Sequence, residues 1–160
     1  MKKIPLFLIM GLYLISCNIN NNRRLNTKVQ EDNAIEYQLV WFDEFDYLGL
    51  PDSAKWAFDT EGNEDGWGNW EAQYYTNSKE KNAHVKNGLL KIVAHKEDFG
   101  GKAYTSARLV SKADWKYGKI EVSAKLPPAK GTWSAIWLMP SGWSFNDGNW
   151  PDVGEIDIME

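Results

Sequence analysis

An all-β sandwich is the fold class this sequence predicts, and three observations predict it. No long stretch of the 160 residues repeats its apolar side chains at helical period; they fall in short runs, one of them strictly alternating. Turn signals such as Asn87-Gly88 and Pro127-Pro128 stand between those runs. The chain has a single cysteine, Cys17, so no intramolecular disulfide can form and a sizeable core must hold the domain.

The elements follow in order. Gln38 to Phe42 is a short apolar run, expected as a strand. Val85 and Leu89 to Ala94 flank Asn87-Gly88, the pair that best tolerates the positive φ angles of a two-residue hairpin. Asp59 to Asn69 is polar and Gly-rich, a loop. Tyr117 to Leu126 sends Ile120, Val122, Ala124 and Leu126 one way and Lys119, Glu121, Ser123 and Lys125 the other, the pattern of a half-buried strand. Pro127-Pro128 ends it. Trp133 to Met139 and Val153 to Glu160 complete the set of expected strands.

The first 17 residues are expected to be a targeting segment. Lys2 and Lys3 precede an apolar run from Ile4 to Ile15, too short to span a bilayer and of the right length for a signal peptide. Leu14-Ile15-Ser16-Cys17 resembles a bacterial lipobox, which implies lipidation of Cys17 and a membrane anchor without a spanning helix. Residues 18–36 are rich in Asn and poor in apolar side chains, a flexible tether. The folded domain is expected over 37–160, held at the cell envelope or secreted.

The net charge of −4 and pI near 5.3 argue against a nucleic-acid partner, which needs a basic face. Nine tryptophans are many for this length. Composition leaves two readings open: a Trp-rich core, or flat platforms for sugar rings.

The chemistry concentrates in Glu155-Ile156-Asp157-Ile158-Met159-Glu160. In a strand, Glu155 and Asp157 share a face while Ile156 and Ile158 share the other. A regular strand would put Glu160 on the isoleucine side; one extra residue near Ile158-Met159, a β-bulge, would return it to the acidic face. Three crowded acids raise at least one pKa, which suits proton transfer. Glycoside hydrolysis needs one ionised and one protonated carboxyl flanking the scissile bond, about 5–5.5 Å apart in retaining enzymes. The same spacing also fits a solvent-facing acidic strand or a cation site, although calcium loops draw their ligands from turns.

That hexapeptide resembles the signature of glycoside hydrolase family 16 in its β-bulge form. Leu39 to Phe45, Trp70 to Thr76, Tyr104 to Leu109, Tyr117 to Glu121 and Trp133 to Pro140 resemble further segments of the family, in the family's order. The resemblance is strongest to laminarinase-type endo-β-1,3-glucanases. It implies a β-jelly-roll of concanavalin A-like type with a cleft, acting on a β-linked polysaccharide with retention of configuration. It implies Glu155 as nucleophile, Glu160 as acid/base and Asp157 as the group between them. It implies no metal or other cofactor in the chemistry, and a structural calcium away from the cleft in many members. Trp133, Trp137 and Trp150 are candidate sugar platforms, with a core role as the alternative. Glu71 and Arg108 are candidates for binding sugar hydroxyls, with an internal ion pair as the alternative. Trp70 and Ala107 depart from the family's usual Asn and Gly and are expected to reshape subsites.

Family catalytic domains are considerably longer, and this chain ends on Glu160, so it is expected to be the N-terminal portion of such a domain. Exposed apolar faces and unpaired edges are then expected to leave it inactive and poorly soluble when expressed alone. The competing expectations are a non-catalytic carbohydrate-binding protein on the same sandwich, and a structural envelope lipoprotein that would have no need of the acid triplet.

Overall fold

The structure, a computed structural model, describes residues 36–160. Cys17 and the tether up to residue 35 lie outside the described residues. Among the described residues the regular elements are nine short strands and two single turns of 3-10 helix. None of these helices is long or apolar enough to cross a membrane.

The Asn-Gly signal is realised as expected. Strands β3 (Ala83–Val85) and β4 (Leu90–Ile92) form an antiparallel hairpin. Asn87 and Gly88 take φ of 56° and 69°, and Lys86 and Leu89 exchange backbone bonds of 3.0 and 3.3 Å across them. Two positive φ angles in succession match the right-handed twist of the flanking strands. Ala83 and Val85 are buried with His84 between them half-buried. The edge of Val85 is covered by Gly49, with mutual bonds of 3.1 and 2.7 Å.

A second sheet holds β2 (Gln73–Tyr75), β6 (Lys102–Ser106) and β5 (His95–Phe99), with β6 central, antiparallel to β5 and parallel to β2. Gly100 and Gly101, both at positive φ, turn the chain between β5 and β6. Strand β1 (Trp56–Phe58) pairs antiparallel with β7 (Leu109–Ser111). Strand β8 (Ile136–Leu138) pairs antiparallel with β9 (Ile156–Met159).

Among the described residues the buried side chains include four polar ones, Asn63, Thr76, Asn82 and Thr105. Asn82, wholly buried, accepts from Thr76 Oγ1 at 2.8 Å and donates to Thr105 Oγ1 at 3.0 Å and to the Val93 carbonyl at 3.2 Å. Asn63 accepts from the Tyr75 amide at 2.8 Å and donates to its carbonyl at 2.9 Å, joining the 59–69 loop to β2. Among the described residues no buried side-chain polar atom lacks a partner, which is the condition for burying such groups at all. The loop expected over 59–69 is irregular, as predicted, apart from one turn of 3-10 helix at Gly66–Gly68, yet it contributes Trp67, one of the few buried apolar side chains among the described residues. Gly62 makes room for it: a Cβ there would stand 2.5 Å from the indole.

Two expected strands are not formed. Gln38–Phe42 and Tyr117–Leu126 carry no ladder, and their apolar members, among them Leu39, Val40, Ile120 and Val122, are exposed. Alternation in sequence marks a face that can be buried, but a strand exists only where another strand accepts its hydrogen bonds, and no described segment pairs with either. The first segment is anchored by side chains instead. Trp41 meets Trp56 and Trp115 edge-on at 5.4 Å each. Asp43 accepts from Trp56 Nε1 at 2.9 Å, Tyr47 Oη at 3.2 Å and the Phe45 amide at 3.2 Å, and pairs with Lys55 at 3.4 Å. Burial works against the Asp43 charge, but these bonds outweigh it and hold the carboxyl below its ordinary pKa.

Candidate active site

The β8–β9 ladder contains a register shift. Leu138 faces Ile156 and Trp137 faces Asp157, but the next residue of β8, Ile136, faces Met159. Ile158 is therefore the extra residue of a β-bulge, where the sequence places one. Directly opposed residues of an antiparallel pair share a face. Asp157 thus lies on the face of Trp137, and Met159 on that of Ile136. The register sets Asp157 on the Trp137 face; continued one residue beyond each end of β9, the same alternation would add Glu155 and Glu160, where a regular strand would have added Glu155 alone.

Trp137 is in contact with Arg108. The Arg108 guanidinium lies 4.7 Å from its ring centre and 4.2 Å from that of Trp67. Arg108 Nε donates to Asp59 Oδ2 at 2.9 Å. A guanidinium between two indoles and tied to a carboxylate is fixed in plane and position. The Trp67 ring meets Tyr75 and Phe145 edge-on, each at 5.3 Å. Glu71 Oε2 accepts from Gln73 Nε2, and from Tyr75 Oη at 3.3 Å. Burial, and then the Glu71 charge, push the Tyr75 phenol above its ordinary pKa, so it stays a neutral donor.

The remaining candidates sit on the 140–155 segment and its approach. Trp150 Nε1 donates to Glu155 Oε2 at 2.8 Å, which orients that carboxylate, while the residue remains 59% exposed. Trp133 is 57% exposed. Ser144 Oγ donates to Glu61 Oε2 at 2.7 Å, and the Phe145 amide donates to it at 3.2 Å, which ties this segment to the 59–69 loop.

Of the residues expected from sequence, Trp137 and Asp157 share one sheet face, and Trp150 touches Glu155. Arg108 makes an internal ion pair, with Asp59 and not with Glu71, and lies against the Trp137 ring. Glu71 belongs to the Tyr75 network. Sequence reading missed Asp59, Trp67 and Tyr75; Trp67 between glycines in a polar loop was the available signal. Among the described residues no group of three or more His, Cys, Asp or Glu converges on a point that would hold a metal ion, so no side-chain cluster fits the structural calcium that the resemblance implies.

The chain is thus an all-β protein with a bulged acidic strand beside Trp137. The profile of Glycosyl hydrolases family 16 matches residues 70–160, and the chain belongs to that family. It is 49% identical over 149 residues to a "Beta-glucanase" of Rhodothermus marinus, covering 92% of this chain and 49% of that protein. The crystal structure of the laminarinase from Rhodothermus marinus superposes with a TM-score of 0.69 at 52% identity, over 76% of this chain and 49% of that one. LamA of Zobellia galactanivorans, solved with laminaritriose and laminaritetraose, superposes at 0.64 with 48% identity, over 74% and 53% of the two chains. The fold is thus the family's jelly-roll, and the chain spans about half the length of the relatives it matches.

Proposed function

We propose that the protein is a retaining endo-glycosidase that hydrolyses β-1,3-linked glucan. The observation that carries this reading is the register shift at Ile158, which supports a common face for Glu155, Asp157 and Glu160 once the alternation is continued past both ends of β9. Glu155, oriented by Trp150, attacks the anomeric carbon while Glu160 gives its proton to the leaving oxygen. Glu160 then takes a proton from water, whose oxygen displaces Glu155 and regenerates both groups. Asp157 lies between them and biases the pair toward one ionised and one protonated member. The names of the matched relatives support β-glucan as substrate.

The test is reducing-end release by the full-length protein from a panel of polysaccharides, with laminarin expected to lead. Glu160→Gln is expected to cost about 10²–10⁴-fold in turnover while sugar binding persists. Undiminished turnover in Glu155→Gln would remove the assignment. Cys17 is read as a lipidated anchor holding the protein at the cell envelope, on its place behind the apolar run. Fatty-acid labelling that is equal in wild type and Cys17→Ser would end that reading.

A further inference from the structure

We infer that Glu61 is a positioning residue: through the 144–150 segment it holds the Trp150 indole that orients Glu155, and so sets the rate of the chemical step. The inference rests on the glycosidase reading above. Glu61 Oε2 accepts from Ser144 Oγ at 2.7 Å and from the Phe145 amide at 3.2 Å, partners 83 and 84 residues away in the chain. Both donors stand at the start of the 3-10 turn Phe145–Asp147. The other amides of that turn are met locally. The Ser144 amide donates to Asp147 Oδ2 at 2.8 Å, the Asn146 amide to Ser144 Oγ at 3.2 Å and the Asp147 amide to the Ser144 carbonyl at 3.0 Å. A turn capped in this way is firm within itself, so its placement depends on what ties it to the rest of the protein. Among the described residues, Glu61 is the only hydrogen-bond partner of residues 142–154 that lies outside 140–155. The Phe145 ring also meets Trp67 edge-on at 5.3 Å, but apolar contact is non-directional; the two bonds to Glu61 fix the angle of the turn.

The turn is coupled to Glu155 by short steps. Trp143 Nε1 donates to Asn149 Oδ1 at 3.0 Å, a brace from the residue before the turn's cap to the residue before Trp150. The Asp152 amide donates to the Asn149 carbonyl and the Gly154 amide to the Pro151 carbonyl, each at 3.0 Å, which keeps the chain from Asn149 to Glu155 tightly turned. Trp150 Nε1 then reaches Glu155 Oε2 at 2.8 Å. A displaced turn carries Asn149 and Trp150 with it, and Glu155 loses the donor that fixes its carboxylate. Attack on the anomeric carbon needs that carboxylate aligned, and a misplacement of about 1 Å can cost about 10²-fold. Glu61 acts through other residues and makes no contact with Glu155, so its effect is expected in kcat.

The experiment is a double-mutant cycle in the full-length protein: wild type, Glu61→Ala, Trp150→Phe and the two combined, with Glu61→Gln beside them. Each is assayed for kcat and KM on the polysaccharide that wild type cleaves fastest, and for thermal unfolding. Trp150→Phe keeps a ring and removes the donor to Glu155. Glu61→Ala is expected to lower kcat about tenfold to a hundredfold with KM changed by less than about twofold. Glu61→Gln, whose amide oxygen can accept both bonds, is expected to keep most of kcat. In the Trp150→Phe background Glu61→Ala is expected to cost little more, because the bond it serves is already gone. Ser144→Ala, which removes the shorter bond from the other side, takes the place of Glu61→Ala in the cycle if that variant does not fold. An equal fold-loss in both backgrounds is what an independent structural role gives, and it overturns the inference while the glycosidase reading stands. A Glu61→Ala enzyme with the wild-type kcat, or a Glu61→Gln enzyme as slow as Glu61→Ala, also overturns it. Wild type that cleaves no polysaccharide overturns both.

Discussion

Because an antiparallel ladder has a period of two, the count of residues between Asp157 and Glu160 decides which side of the sheet Glu160 occupies. The observed register carries one surplus residue, Ile158, between the Trp137–Asp157 and Ile136–Met159 pairs. Continued one step, it sets Glu160 opposite Ala135, on the Trp137 side. Deleting Met159 leaves Ile158 opposite Ile136 and Glu160 still opposite Ala135, so the ladder becomes regular and the acids keep their common face. Inserting one alanine between Met159 and Glu160 sets the alanine opposite Ala135. It moves Glu160 about 3.4 Å along the strand and onto the Ile136 face. A positioned general acid contributes about 10²–10⁴-fold, so the insertion is expected to lose turnover by that factor and the deletion to keep most of it. Initial rates of reducing-end release from laminarin measure both, with far-UV circular dichroism as the check on folding. An insertion variant as fast as wild type, or a folded deletion variant as slow as the insertion, would refute the parity reasoning.

Arg108→Leu removes two guanidinium–indole contacts, each worth about 0.5–2 kcal/mol, and leaves Asp59 without its cation. A loss of about 2–4 kcal/mol is expected, seen as a lower denaturant midpoint at unchanged slope, with Arg108→Lys recovering only part of it. An unchanged midpoint would show that the clamp contributes nothing. Asp43 has a folded pKa below its ordinary 3.8, so its contribution to stability is present above that value and is lost as pH falls through the lower folded one. The stability gap between wild type and Asp43→Asn is therefore expected to shrink as pH drops below about 4, in urea titrations at stepped pH. A gap constant with pH would contradict the hydrogen-bonded geometry of Asp43.

What was legible in the sequence was local. Asn87-Gly88 needs two positive φ angles, and few other residue pairs accept them. The bulge was legible because Glu160 stands at the wrong parity for a regular strand. The β5–β6 hairpin escaped because His95 to Phe99 shows no apolar alternation, although Gly100-Gly101 carried the same kind of turn signal as Asn87-Gly88. Tyr117–Leu126 shows the converse: a clean pattern without a partner yields no strand. The polar interior of Asn63, Thr76, Asn82 and Thr105 was invisible, because polar side chains read as surface until their partners are known. The clamp on Trp137 was invisible for a related reason: Asp59, Trp67 and Arg108 come together only through the fold.

That clamp also bears on how the chain is made. Asp59 and Arg108 lie 49 residues apart, and β1 finds its only described ladder partner in β7, just beyond Arg108. At ribosomal speeds of about 5–20 residues per second, the first strand emerges and waits about 2 to 10 seconds for its mate. The β3–β4 hairpin can close at once, since its two strands are joined by a tight turn. Synthesis therefore leaves Trp56 and Trp67 unsheltered for seconds, an interval in which a holdase chaperone has something to hold.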